Sequence, residues 1–364
     1  MSGADTRFMD LALTLGRRGL GRVWPNPAVG CVIVRDGRIV GRGWTQDGGR
    51  PHAEVMALAQ AGEAARGATA YVTLEPCNHE GKTGPCTEAL IAAGVTRVVA
   101  ATEDPDPRVN RSGIARLRDA GIETTVGLRA DAARADHQGF FARVSQGRPM
   151  VTLKLASSFD GRIATGSGQS QWITGPEARR VVHAMRATHD AVMVGGGTAR
   201  HDDPSLTVRG LGATRQPVRV VASRRLDLPL MGKLARTAAD PPVWICHGND
   251  ADPNLLTTWD ELGARLLPCK ARGAQLDAGG VLDVLGEAGL TRVFCEGGGM
   301  LASSLLDADL VDRLVGFTAG IVIGAEGLPS IGALGLARLD EAPKFQLEDL
   351  RTVGDDVLHV WRRR

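Results

Sequence analysis

Four side chains carry the chemistry that can be read first: His52 and Glu54 in His52-Ala53-Glu54, Cys77 after Pro76, and Cys86. One imidazole and two thiolates form a soft three-ligand set for zinc that leaves a fourth position open to water, as a catalytic site requires. Zinc lowers the pKa of a coordinated water from about 15.7 toward roughly 7, so hydroxide is available at neutral pH to attack an amidine-like ring carbon. A proton must then reach the departing amine, and Glu54 is placed to carry it. The expected chemistry is hydrolytic deamination, with His52, Cys77 and Cys86 holding one zinc ion and Glu54 as the catalytic acid-base.

The order of these residues matches the H-x-E…P-C-x-x-C signature of zinc nucleobase deaminases, in which the glutamate moves protons without ligating the metal. The spacing differs, because eight residues, Asn78 to Pro85, separate the two cysteines. A helix is expected to begin near His52, with Pro51 at its entry and an Ala/Leu-rich run behind it. Ala70 to Leu74 reads as a short strand running into Glu75-Pro76-Cys77. A strand end and two helix starts would converge on the metal, and helix N-termini favour thiolate over thiol.

Around these elements the first half alternates. An opening helix over Arg7 to Arg18 precedes strands at Ala28 to Val34 and Arg38 to Gly43, joined by an Asp36-Gly37 turn. Helices and strands then follow in turn to a last helix near Asp131 to Ser145, giving a three-layer α/β/α sandwich. Gln146-Gly147-Arg148-Pro149 reads as a linker, so the expected domains are residues 1–146 and 147–364. In the second, Met150 to Ala156 is a strand with Val151, Leu153 and Leu155 on one face and Lys154 on the other. Alternating strands and helices continue from there as a second α/β domain.

Composition narrows the function classes. With 364 residues, 43% hydrophobic and 23% charged, the chain has room for two globular domains. No apolar run approaches the roughly 18 to 20 residues that span a bilayer. The segment from Met1 to Gly19 is not built like a secretory signal, so a cytoplasmic protein is expected. A net charge of +2, without a basic block interleaved with aromatics, points away from nucleic acid and from membranes. Cys31, Cys246, Cys269 and Cys295 are expected to be buried, and His183, His189 and His201 lack a metal-binding spacing.

Two glycine-rich turns follow strands in the second half, Gly195-Gly196-Gly197-Thr198 and Glu296-Gly297-Gly298-Gly299-Met300. Glycine lets backbone approach a phosphate closely, and a helix starting near Met300 would aim free N–H groups at an anion. A tight turn is the plainer reading of either. Lys154 to Arg162, Ser170 to Thr174 and Asp202 to Arg209 scatter basic, hydroxyl and acidic groups over loops, where ligand contacts usually lie.

Over nearly its whole length the chain resembles the bifunctional deaminase-reductase of riboflavin biosynthesis. The matching runs are Pro25-Asn26-Pro27, His52-Ala53-Glu54, Tyr71 to Cys77, Gly81 to Cys86, Lys154 to Arg162, Ser170 to Thr174, Asp202 to Arg209 and Glu296 to Gly299. The long cysteine spacing is that family's own form of the zinc motif. The resemblance implies a cytidine-deaminase-like domain followed by a dihydrofolate-reductase-like one, each α/β. It implies zinc-dependent deamination of a phosphoribosylaminopyrimidine, then reduction of the ribosyl group to ribityl by NADPH. It also implies residue roles. Ala156, Trp172, Thr198, Asp202, Gly298, Gly299 and Met300 would contact NADPH. Asn26, Lys154, Ser170, Arg186, Leu206, Arg209 and Glu296 would contact substrate, with Lys154 and Asp202 as candidates for polarising or protonating the reduced centre. A homo-oligomer, dimer or tetramer, is expected.

The chain departs from the family pattern at Lys82 and Gly84, where arginine and proline are usual, and at Asp106, where Asp-Pro-Asn-Pro becomes Asp104-Pro105-Asp106-Pro107. These changes are expected to bear on substrate affinity rather than zinc binding, with Arg108 or Arg111 available to offset Asp106. The competing readings are a zinc deaminase for another base with a degenerate second domain, and a second half that only binds or dimerises.

Overall fold

The computed structural model describes residues 3–81, 84–106, 109 and 111–364. The chain divides into two compact units, Met1–Gly147 and Arg148–Arg364. The last helix of the first, Ala130–Gln146, ends where Gly147 takes the left-handed conformation (φ 75°) and its N–H donates to the Arg143 carbonyl.

In the first unit the elements are α1 (Gly3–Gly16), β1 (Gly30–Arg35), β2 (Arg38–Trp44), α2 (Ala53–Ala61), β3 (Thr69–Val72), α3 (Cys86–Ala92), β4 (Arg97–Ala100), α4 (Ser112–Asp119), β5 (Glu123–Val126) and α5 (Ala130–Gln146). The five strands form one sheet in the order β2-β1-β3-β4-β5, with β1 antiparallel to both neighbours and β3, β4 and β5 parallel. Alternate residues of each strand feed opposite cores. Cys31, Ile33 and Val72 pack with Ala53 and Ala57 of α2, whereas Val32, Val34 and Tyr71 pack with Phe8 and Met9 of α1. This is the expected three-layer arrangement. Gly41 and Gly43 let α2 lie directly on β2, since a Cβ there would come within 2.2 Å and 2.1 Å of the Ala57 and Ala53 carbonyl oxygens.

The second unit contains β6 (Met150–Ser158), β7 (Arg162–Ala164), α6 (Pro176–Ala187), β8 (Ala191–Gly195), α7 (Gly196–Asp202), β9 (Val218–Ala222), α8 (Lys233–Arg236), β10 (Val243–His247), α9 (Pro253–Glu261) and β11 (Arg265–Pro268). After them come β12 (Ala271–Arg272), β13 (Gln275–Leu276), α10 (Ala278–Glu287), β14 (Arg292–Cys295), α11 (Gly299–Asp307), β15 (Arg313–Ala319), β16 (Leu328–Pro329), β17 (Phe345–Val353) and β18 (Asp356–Arg363). Nine strands form a sheet in the order β11-β10-β9-β8-β14-β6-β15-β18-β17. The seven from β11 to β15 are parallel, and β18 and β17 close the far edge antiparallel. That closing hairpin is absent from the sequence reading. Every residue of β17 from Gln346 to Thr352 is exposed, so it carries no inward and outward alternation.

Strand β6 is central in this sheet. Thr152, opposite the apolar row, is buried rather than open, because a central parallel strand is covered on both faces. Its hydroxyl meets His189 Nε2 at 2.9 Å, while His189 Nδ1 lies 2.7 Å from the Met185 carbonyl. A carbonyl only accepts, so Nδ1 carries the proton and Nε2 accepts from Thr152. Burial, reinforced by Arg292 and Arg313, lowers the His189 pKa to about 3. A buried neutral histidine stabilises the fold above its unfolded pKa near 6.5, and that contribution is lost as pH falls from there toward 3. Urea unfolding of the full chain should therefore show a loss of about 2 kcal/mol between pH 7 and pH 5 that the His189→Gln variant does not show.

Candidate active sites

In the first unit the metal ligands sit where elements end. His52 is the N-cap of α2, Cys86 opens α3, and Cys77 lies in the loop after β3. The Cys86 N–H donates to Cys77 Sγ at 3.4 Å, and the Thr87 N–H donates to the Cys77 carbonyl, so the start of α3 fixes the loop. His52 presents Nδ1, which lies 3.3 Å from Cys86 Sγ and 3.6 Å from Cys77 Sγ. A tetrahedral zinc with Zn–N about 2.0 Å and Zn–S about 2.3 Å has ligand-to-ligand edges of roughly 3.6 Å, so the donor set fits the ion. His52, Cys77 and Cys86 are the one such cluster among the described residues, their donor atoms all within 4.8 Å of one another.

Without metal, hydrogen bonding from Cys86, against the effect of burial, and then from His52 lowers the Cys77 thiol to about 4. Donation to Cys77, together with burial, pushes the Cys86 thiol far up. Metal binding would displace the remaining thiol proton. Glu54, in the first turn of α2, is 4% exposed. Burial, and then negative charge on Cys77, raise its carboxyl to about 7. Cys31 of β1 is near enough for Glu54 to add to the upward push that burial gives its thiol.

Asn26 lies against the turn that leads to His52, since a Cβ on Gly49 would meet its side-chain nitrogen at 1.9 Å. Asp106 is buried, and Asp104 Oδ1 accepts its N–H at 2.9 Å. Arg111 pairs with Glu103 at 3.0 Å. Gly84 is exposed; Lys82, Pro107 and Arg108 lie outside the described residues.

In the second unit a cavity of about 640 Å³ opens at the carboxyl ends of β6, β8, β9 and β14. The chain crosses from β6 past β14 to β8 and later returns to fill β14, so the cavity sits at the point where strand order reverses, where open α/β sheets bind ligands. Lys154, Ala156, Ser170, Thr198 and Asp202 line it, with Glu296, Gly298, Gly299 and Met300. The α11 helix starts there with Gly298 as N-cap and no side-chain cap, leaving its first N–H groups free for an anion. A Cβ on Gly299 would meet the Pro329 carbonyl at 2.8 Å, so only glycine lets that backbone close on the β16 segment. The Gly298 N–H donates to Thr198 Oγ1 at 3.3 Å, tying the two glycine turns together.

Arg186 reaches the cavity through Glu296. Its Nε and Nη2 donate to the two Glu296 oxygens at 2.5 Å and 3.1 Å, and its Nη1 donates to the Thr207 carbonyl. Lys154 Nζ is 3.7 Å from Glu296 Oε2. Burial alone would raise the Glu296 carboxyl, but Arg186 and Lys154 outweigh it and hold it below its ordinary value. Burial raises Asp202, with His201 opposing.

Three residues expected at this site are not brought to it. Trp172 is 69% exposed and stacks under the Arg179 guanidinium, 4.5 Å from the ring centre, instead of lining the cavity. Leu206 is 2% exposed and belongs to the core between β8, β9 and β10. Arg209 is exposed, its N–H donating to His183 Nδ1 at 3.3 Å. The cavity also includes Arg224, His201 and Leu276, which sequence reading left unassigned.

Family models agree with both halves. Residues 2–102 match the cytidine and deoxycytidylate deaminase zinc-binding region, and residues 149–359 match the RibD C-terminal domain. The riboflavin biosynthesis protein RibD of Aquifex aeolicus is 42% identical over 359 residues, covering 99% of this chain and 98% of that one. The Escherichia coli protein of the same name is 41% identical over 369 residues, with 98% and 99% covered. Among solved structures, Acinetobacter baumannii RibD superposes with a TM-score of 0.88 at 38% identity over 99% of both chains. A diaminohydroxyphosphoribosylaminopyrimidine deaminase/5-amino-6-(5-phosphoribosylamino)uracil reductase from Thermotoga maritima gives 0.86 at 35% identity, again over 99% of both. With a zinc-fitting centre in one unit and a glycine-lined cavity in the other, the chain belongs to the RibD family, the bifunctional zinc deaminases and NADPH-dependent reductases of riboflavin biosynthesis.

Proposed function

We propose that the chain deaminates 2,5-diamino-6-(5-phosphoribosylamino)pyrimidin-4(3H)-one and then reduces the ribosyl group of the resulting 5-amino-6-(5-phosphoribosylamino)uracil to ribityl. The carrying observation is the His52, Cys77 and Cys86 cluster at zinc-ligand separations with Glu54 buried beside it. His52 Nδ1 and the two sulfurs would hold the ion, which supplies an acidified water at neutral pH. Glu54 holds the proton taken from that water and passes it to the leaving amine. Its burial in the first turn of α2 holds it beside the ligands for that transfer. Asn26 and the Asp104 to Asp106 segment are proposed to line the pyrimidine's place.

In the second unit Gly298, Gly299 and the α11 N-terminus are proposed to take the cofactor's phosphates, with Thr198, Ala156, Met300 and Asp202 along its length. NADPH supplies the hydride. Lys154 and Ser170 face the substrate, and Glu296, locked by Arg186, orients Lys154 toward the reacting carbon. Asp202, with its raised pKa, is the second proton source. Lys154, which lines the cavity, is proposed as a cation that meets the phosphosugar.

We also propose a cytoplasmic homo-oligomer. The unpaired outer edge of β17, with Leu347 and Leu350 exposed, supports pairing between copies. Six cysteines without a disulfide, four of them buried and outside the metal-ligand set, support a reducing compartment. No helix among the described residues is long and apolar enough to cross a membrane.

Removing zinc with a chelator should abolish ammonia release while leaving NADPH oxidation with the amino-uracil substrate intact, and readdition of zinc should restore the first. Loss of both activities together would refute the assignment of separate chemistries to the two units.

A further inference from the structure

We infer that Glu75 is a positioning residue for the deaminase, acting by locking the segment after β4 and the start of α4 against the metal-ligand loop. The inference rests on the deaminase reading above. Glu75 is 3% exposed and stands two residues before Cys77. Its carboxylate accepts four backbone N–H groups from the neighbouring connection. Oε1 takes Gly113 at 3.0 Å and Ile114 at 3.1 Å, and Oε2 takes Asp104 at 3.2 Å and Arg111 at 3.2 Å.

The reason for a carboxylate lies in α4. That helix has no side-chain cap of its own and begins after Arg111 in a left-handed conformation, so its first N–H groups are orphans unless something distant accepts them. An anion at a helix N-terminus is favourable, and Glu75 supplies it from another element. The approach is close. A Cβ on Gly113 would sit 2.1 Å from the Pro76 carbonyl oxygen, so α4 starts directly on the Pro76-Cys77 peptide.

Further bonds run the same way on both sides. Beyond Cys77, Asn78 donates to the Ser112 carbonyl at 3.3 Å and accepts from Thr87 Oγ1 at 2.9 Å, linking α4 to α3. The Glu75 N–H donates to the Thr102 carbonyl at 2.9 Å, and Asp104, held by Glu75, accepts the Asp106 N–H. Strands β3 and β4 are adjacent and parallel, so the loops after their carboxyl ends lie side by side at the same edge of the sheet. The metal loop and the Asp104 to Asp106 segment are those neighbours, and the Glu75 carboxylate ties one to the other. All four acceptor sites of the carboxylate are occupied by backbone, so Glu75 touches neither the substrate nor the metal.

Glu75→Gln tests this in the full-length, zinc-loaded enzyme. The amide is the same size but puts two N–H groups where acceptors are needed. Zinc should remain at one per chain, as the three ligands are untouched. Amide exchange at Asp104, Arg111, Gly113 and Ile114 should accelerate, and the KM for ammonia release should rise roughly 10- to 100-fold with kcat within about threefold. NADPH oxidation should not change. Glu75→Asp, which keeps the charge on a shorter arm, serves if the amide variant does not fold, and the same split is expected. Unchanged exchange and KM, or loss of zinc with kcat and KM collapsing together, would overturn the inference. The exchange readout needs no substrate, so failure of the wild-type enzyme to release ammonia would count against the functional reading, not against Glu75.

Discussion

Glu54→Gln is expected to retain one zinc per chain and to lose ammonia release by about 10²- to 10⁴-fold, the usual contribution of a positioned acid-base group. The amide has the shape of the carboxyl and no proton to exchange. Because the side chain is 4% exposed in the first turn of α2, little solvent is available to substitute for it. His52 Nδ1, Cys77 and Cys86 make up the ligand set without it, so metal content is the control. Metal analysis beside an ammonia assay checks both parts, and NADPH oxidation should continue at the wild-type rate. Loss of zinc in this variant would mean that Glu54 is a ligand, not the proton carrier.

Glu296→Ala should be the most damaging single change in the second unit. It removes the acceptor of two Arg186 hydrogen bonds and the 3.7 Å partner of Lys154. With side-chain exposures of 9%, 12% and 16% for Glu296, Arg186 and Lys154, the orphaned cations have little water to turn to. Breaking such a pair costs about 3–5 kcal/mol. Reduction should fall at least about 100-fold as Lys154 loses its orientation. Replacing both partners, Arg186→Met with Glu296→Leu, should recover much of the stability and none of the activity. Urea unfolding and NADPH oxidation of the single and double variants separate the two effects; recovery of activity in the double variant would show that the pair only fills space.

The deaminase centre was legible in the sequence because each ligand sits at an element terminus whose signals are local. Cys77 follows a short strand, and His52 and Cys86 stand at helix starts, so types and order were enough. Glu75 was quoted within that motif and given no role. Its partners are backbone N–H groups at Asp104, Arg111, Gly113 and Ile114, and backbone groups leave no mark on residue type. The β17 and β18 hairpin was missed for a different reason. An edge strand exposed on both faces need not alternate, and Phe345 to Val353 does not. In the second unit the glycine turns and the residues flanking them line the cavity, and such strand-turn-helix junctions are read from short segments. Leu206 and Trp172 take their direction from tertiary packing, which residue type in a loop does not encode. Leu206 joined the apolar core at positive φ, and Trp172 turned outward onto Arg179.

The central claim is that one chain carries two separable reactions in sequence. It is tested most directly by giving the purified, zinc-assayed protein the phosphoribosylamino diaminopyrimidine and following ammonia release and NADPH oxidation independently in the same sample. Ammonia should appear first, with NADPH consumed after it to the same final stoichiometry. Without NADPH, ammonia release should proceed unchanged. Ammonia release with no NADPH consumption at saturating cofactor, or NADPH oxidation that precedes ammonia, would contradict the account.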